Sequence, residues 1–163
     1  MSDPQPDIFG DARINPALEE AALLAEDFEG LILEPYHDPV GYPTIGYGHL
    51  LSREPGADLT QWAALPDRDA ALELLMKDML RAAASVDRLI DVPLSVEQEA
   101  ALIDFAFNCG SGNLMASTLR KVINRGEYAD APAQFRRWVF ARGRKLAGLV
   151  RRREAEAQLW MAG

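Results

Sequence analysis

The sequence predicts an α+β fold, mostly helical, with a small β-hairpin or sheet in an N-terminal lobe and a helical C-terminal lobe. Three observations predict it. Runs with an apolar period near 3.6, several of them preceded by a capping residue, recur along most of the chain. One short stretch, His37-Asp38-Pro39-Val40-Gly41, concentrates the turn formers of a hairpin. At 163 residues, 48% hydrophobic and 26% charged, the chain is long enough for a real core in two lobes and too apolar for disorder over most of its length.

Each element has its own local reason. Asn15 and Pro16 are an N-cap and a first helical residue, and apolar side chains recur at Leu18, Ala21, Ala22, Ala25 and Phe28. A helix is therefore expected to close on Glu29, with Gly30 as its stop. The hairpin follows, and Gly46 and Gly48 on either side of Tyr47 are expected to let a strand come close to a ligand. Residues 50–66 mix Pro, Gly and polar side chains without a period and are expected to be loop with a short helical turn. Asp67 caps a long helix to about residue 91 that places Leu72, Leu75, Met76, Met79, Ala83, Val86 and Ile90 on one face.

Pro93 ends that helix, and Ser95 with Gln98 forms a capping box for the next, which is apolar almost all round up to Gly110 and so central to the second lobe. Ser117 is the N-cap of a helix reaching residues 124–126, and residues 131–141, with Phe135, Trp138 and Val139, read as a further amphipathic helix. The expected organisation is an acidic tail over 1–14 and a single domain over 15–163. Within it a small lobe covers about 15–66, a connecting helix about 67–91 and a helical lobe about 94–163.

Charge and cysteine content narrow the classes. The net charge of −8 is uneven: residues 119–163 hold 11 Lys and Arg against 4 Asp and Glu, a balance of +7, while residues 1–118 hold 6 against 21, a balance of −15. The acidic two-thirds argues against a nucleic-acid partner; the basic end is either an Arg-rich solvated helix face or a surface steered toward an anionic envelope. A single cysteine, Cys109, forms no internal disulfide and is expected to be a packed thiol. The first fourteen residues lack a basic start followed by an apolar run, so neither a secretory signal nor membrane insertion is expected. His37 and His49, with one distant Cys, make no zinc set, so no metal and no cofactor is expected; His37 reads as an exposed turn residue and His49 as structural, bonded to a carboxylate.

The chemistry lies in residues 29–49, EGLILEPYHDPVGYPTIGYGH. A carboxyl at a helix C-terminus is opposed by the helix dipole, and burial in a cleft would raise its pKa further, so Glu29 suits a general acid. Asp38, on a polar turn, is expected to stay ionised, and Thr44 adds a hydroxyl able to hold a water. Two carboxyls in contrasting environments are the pattern of glycosidic hydrolysis. Taken singly, Glu29 and Asp38 read far more readily as an ordinary helix-end and an ordinary turn charge; the spacing of all three is what carries the argument.

The stretch resembles the active-site region of the phage-type lysozymes, the endolysins of glycoside hydrolase family 24. A Glu, an Asp nine residues on, a Thr six further and I-G-x-G-H all match, at Glu29, Asp38, Thr44, Ile45, Gly46, Gly48 and His49. Further blocks match at Phe107-Asn108-Cys109-Gly110, Ser117-Thr118-Leu119, Gln134-Phe135-Arg136-Arg137-Trp138 and residues 148–156, so the resemblance covers roughly residues 15–160. It implies a lysozyme-like two-lobed domain and a muramidase that cleaves the β-1,4 bond of peptidoglycan, with Glu29, Asp38 and Thr44 catalytic. Phe107, Asn108 and Ser117 are implied to contact the sugars, though Asn108 as a helix C-terminal residue and Ser117 as a plain N-cap remain open. One of Arg151 to Arg153 is implied to pair with Glu29, which would lower its pKa against the dipole and burial terms. The resemblance further implies a monomer made in the host cytoplasm that reaches the wall through a holin-type pore. The chain departs from the family at Arg142, where many relatives carry a second glycine, and in its acidic total. A lytic transglycosylase, needing only the glutamate, and a non-catalytic wall-binding module stay as alternatives.

Overall fold

The computed structural model describes residues 15–163; the acidic tail expected over 1–14 lies outside the described residues. Helix α1 (Pro16–Glu26) opens on Asn15, whose side chain accepts from Ala17 N at 3.0 Å and Leu18 N at 3.3 Å. It ends three residues before the expected Glu29, and Gly30 does not take a left-handed conformation. The last turn tightens instead: Asp27 N donates to Leu24 O at 3.3 Å, and Phe28 N and Glu29 N both donate to Ala25 O, at 2.9 and 3.0 Å. These bonds satisfy the end carbonyls that a glycine cap would otherwise serve.

Strands β1 (Ile32–His37), β2 (Pro43–Gly46) and β3 (His49–Leu50) form an antiparallel sheet in that order. Register pairs Tyr36 with Thr44 and His37 with Pro43, and slips between Ile32 and Tyr36. Gly46, at φ +67°, lies against the preceding loop and the next helix: a Cβ there would meet Leu65 Cδ1 at 3.3 Å and Ala71 Cβ at 3.5 Å. Tyr47 is buried, and its hydroxyl donates to Glu26 Oε2 at 2.8 Å. Arg68 Nε donates to the same oxygen at 3.0 Å, so the end of α1, the sheet and the start of the next helix share one carboxylate. The hydrogen bonds from Arg68 hold that carboxyl below its usual range.

After a 3-10 turn (Leu59–Gln61), helix α2 (Arg68–Leu89) starts on Asp67, which accepts from Ala70 N at 2.9 Å. It packs against β2 and β3 as well as α1 and the next helix, α3 (Val96–Cys109). Leu75, Met76, Met79, Ala83, Val86 and Ile90 are buried and Leu72 partly so, as the apolar period requires. His49 Nδ1 lies 2.9 Å from Asp78 on α2, which identifies the carboxylate expected to hold it. His37 is exposed as expected, but it ends β1 rather than lying in the turn, with Nε2 2.9 Å from Ala57 O.

Helix α3 carries the predicted capping box and is the centre of the molecule, in contact with α1, α2 and the last helix. Ala100 to Phe105 are all buried. Short helices α4 (Ser111–Ala116) and α5 (Thr118–Asn124) follow, the latter capped by Ser117 as predicted. The helix expected over 131–141 is cut short: α6 (Ala131–Phe135) stops, and β4 (Phe140–Ala141) pairs with β5 (Arg144–Lys145). Arg142 and Gly143, at φ +51° and +75°, supply the two left-handed residues of a tight hairpin turn, and Val139 turns inward with its carbonyl accepting from Leu146 N at 3.0 Å. Helix α7 (Ala147–Ala162) closes the chain, and Phe105, Phe135, Trp138 and Trp160 interlock beneath it, with Phe105 edge-on to Phe135 and Trp138 at 5.7 and 5.4 Å.

Replacing Asp67 with Ala removes a cap that only α2 uses and is expected to cost about 1 kcal/mol in denaturant unfolding, with the unfolding slope unchanged.

Candidate active site

Glu29 sits just past the tightened end of α1, its backbone tied to Ala25 and its side chain 28% exposed. It lines a cavity of about 450 Å³ together with Phe28, Asn108, Leu146, Leu149 and Arg152. That volume is in the range of sites that take a small ligand. Arg152 is the arginine of the 151–153 run that meets Glu29, Nη1 donating to Oε1 at 2.7 Å. Its other two contacts go to Asp104 in the middle of α3, Nε to Oδ2 at 3.0 Å and Nη2 to Oδ1 at 2.7 Å. Burial works against the Arg152 charge, but the hydrogen bonds and charges of Asp104 and Glu29 more than offset it and raise its pKa. Phe28 lies under the guanidinium, with 5.6 Å from its carbon to the ring centre.

The hairpin turn holds the other two expected catalytic residues together. Asp38 Oδ1 accepts three backbone N–H groups, from Val40 at 2.9 Å and from Gly41 and Tyr42 at 2.8 Å. Asp38 N donates to Tyr42 O at 2.9 Å, and Thr44 Oγ1 donates to that same carbonyl at 2.9 Å. Asp38 and Thr44 thus hang on the two ends of one residue, Tyr42. Asp38 keeps Oδ2 outside this set of turn bonds, and Thr44, though buried, keeps its oxygen lone pairs for an acceptor role. The cavity lined by Glu29 includes neither Asp38 nor Thr44 among its lining residues.

The expected sugar contacts separate. Asn108 is exposed, lines the cavity and accepts from Arg153 Nη2 at 2.9 Å, so its side chain is already aimed. Phe107 is half-buried and packs against the core without lining this cavity. Ser117 spends its hydroxyl on the fold, donating to Leu114 O at 2.7 Å and accepting from Arg120 N at 3.0 Å. It lines a second cavity, of about 330 Å³, with Gln134, Arg137 and Trp138. Cys109 is partly buried, and burial pushes its thiol up to about 11, which suits packing and not nucleophilic attack. Among the described residues, no group of three or more His, Cys, Asp or Glu is placed to hold a metal ion, and no helix is long and apolar enough to cross a membrane.

Sequence reasoning missed Asp104 and Glu156, both fully buried behind Arg152 and Arg153. The available signal was a lone acid at the centre of the apolar run ALIDFAFN, since an acid there needs a cationic partner.

A small antiparallel sheet set beside a helical body, with a carboxyl at a helix end opening on a cavity, defines a lysozyme-like α+β protein. The family model for phage lysozyme matches residues 26–156, and the chain belongs to that family. It is 38% identical over 132 residues to a SAR-endolysin of Escherichia phage Mu, covering 81% of this chain and 73% of that protein. Among solved structures, it is similar to the muramidase domain of SpmX from Asticcacaulis excentricus, at 31% identity and a TM-score of 0.72, covering 86% of this chain and 94% of that one. An endolysin from Escherichia coli O157:H7 phage FAHEc1 is similar at 28% identity and a TM-score of 0.72, covering 87% of this chain and 90% of that one.

Replacing Arg152 with Ala leaves Asp104 buried without its cationic partner and is expected to cost about 3–5 kcal/mol of stability, read by denaturant unfolding. Asp38→Ala takes the acceptor from three N–H groups and is expected to lower stability by about 1–3 kcal/mol. Asp38→Asn keeps that acceptor and should unfold like the parent, which separates the turn role from any chemical one.

Proposed function

We propose that the chain is a peptidoglycan-lysing endolysin, a muramidase that hydrolyses the β-1,4 bond between N-acetylmuramic acid and N-acetylglucosamine. The observation that carries this reading is Glu29, partly exposed in the wall of a ligand-sized cavity and held at 2.7 Å by an arginine that is itself anchored in the core. Family membership supports the glycosidase chemistry. Glu29 gives its proton to the leaving glycosidic oxygen as the bond to the anomeric carbon breaks. Asp38 stabilises the positive charge that develops there and, with Thr44, positions the water; the water oxygen bonds to the anomeric carbon and its proton passes to Asp38. Asn108, Phe107 and Ser117 are the proposed contacts to the glycan strand.

The resemblance extends this reading to a monomer made in the host cytoplasm that gains the wall through a holin-type pore, with no nucleic-acid partner and no cofactor. Direct attack by water would invert the anomeric centre.

Glu29→Gln keeps the shape and the contact to Arg152 but removes the proton donor. Its clearing of purified sacculi is expected to fall by roughly 10²- to 10⁴-fold. Appreciable lysis by that variant would overturn the assignment. Product analysis supplies the second reading: new reducing ends are expected, whereas an anhydro-sugar would identify a transglycosylase.

A further inference from the structure

Behind the cavity lies a set of buried charges that the proposed chemistry leaves unused. Asp104, Arg153 and Glu156 all have a relative exposure of 0%. Both oxygens of Asp104 accept from Arg152. Glu156 Oε1 accepts from Arg153 Nη2 at 2.6 Å, while Glu156 Oε2, equally buried, has no partner among the described residues. Helices α3 and α7 pack against each other, and Asp104 is among the groups whose hydrogen bond and charge act on Glu156. Two bare carboxylates in such a place repel each other and lose their hydration, and both effects favour one proton between them. An O–H on Glu156 Oε2 donating to Asp104 would account for the missing partner. Burial first, then the hydrogen bond and charge of Asp104, hold Glu156 well above the usual carboxylate range despite Arg153.

We propose that Asp104 and Glu156 form a carboxyl pair with a single shared proton that positions Arg152 and offsets its charge where it meets Glu29. The proposal rests on Glu29 being the general acid. Arg152 meets Glu29 at 2.7 Å, and a lone guanidinium at such a distance from a carboxyl in general favours its ionised form. Asp104 changes that by taking Nε and Nη2 and supplying an opposing charge on the far side. Glu156 in turn keeps Asp104 in register without adding a second negative charge to the core. The charged and titratable groups facing the pair are Arg152 and Arg153 from α7 and the Cys109 thiol from α3, which stays neutral because burial pushes it up to about 11. Asp27 and Arg151 line the open side of the cavity with Glu29. Asp104 and Glu156 do not touch the cavity, so both are positioning residues.

Two variants of the full chain, with pH profiles of kcat/KM on sacculi, test this. The alkaline limb of that profile reports the acid in the free enzyme. Glu156→Gln reproduces the neutral partner, with an amide N–H for Asp104 and a carbonyl for Arg153, so its alkaline limb is expected to stay where the parent's lies. The double variant Asp104→Asn, Glu156→Gln leaves Arg152 no carboxylate except Glu29, and its limb is expected to move to lower pH by at least about one unit, with kcat lost more than KM is raised. A parental limb in the double variant, or a limb displaced to lower pH by Glu156→Gln alone, overturns the proposal. Stability gives a second reading that needs no activity. Between the ordinary glutamate range, about 4.3, and the raised folded value, the native state holds one more proton than the unfolded chain, so the parent loses stability as pH rises. Glu156→Gln cannot titrate there, and its melting temperature is expected to gain on the parent's between pH 5 and pH 7; a constant gap overturns the single-proton pair. Activity in Glu29→Gln, by contrast, defeats the reading of the acid itself.

Discussion

The guanidinium of Arg152 is the contact on which the arrangement depends, because it joins three parts of the chain that sequence keeps far apart. It reaches Glu29 after the first helix and Asp104 in the middle of the central one, from its own place on the last. A planar fork with several donors in fixed directions can do this; a lysine ammonium cannot serve two carboxylates in the same geometry. Buried ion pairs add little net stability once desolvation is counted, so the gain lies in where the side chains are fixed. Glu29 is held at the mouth of the cavity by a rigid support and not by a surface contact. The C-terminal helix is thereby part of the site, although its outward face is plain solvated surface.

Much of the fold was legible because local rules and tertiary packing agreed. Asn15, Asp67, Ser95 with Gln98, and Ser117 all cap where the sequence placed them. The long face of α2 buries the side chains its period selected. Disagreement came where a local signal met a competing bond. Gly30 had no need to turn left-handed once Ala25 O had accepted twice. The stretch after Phe135 left its helical period because a turn at Arg142-Gly143 folded it back on itself, and an arginine at positive φ gives little sequence warning of such a turn.

For the site, the spacing of Glu29, Asp38 and Thr44 was readable because all three lie within one short segment. What could not be read was long-range: which of three consecutive arginines turns inward is decided by the packing of α7 on α3, and the partners are 48 and 123 residues away. Asp104 and Glu156 were hidden for the same reason. Each looks like a solvated charge until the element opposite is known, and only their shared burial gives them meaning.

The carbonyl and N–H of Tyr42 offer a last consequence. Because Asp38 and Thr44 are both fastened to that one residue, neither depends on the hairpin keeping a fixed pose against the helices. Their spacing is set by a few bonds inside the turn, as the gap of a pair of tweezers is set at its joint. Substitution in the flanking strands can therefore leave the gap between these two side chains intact.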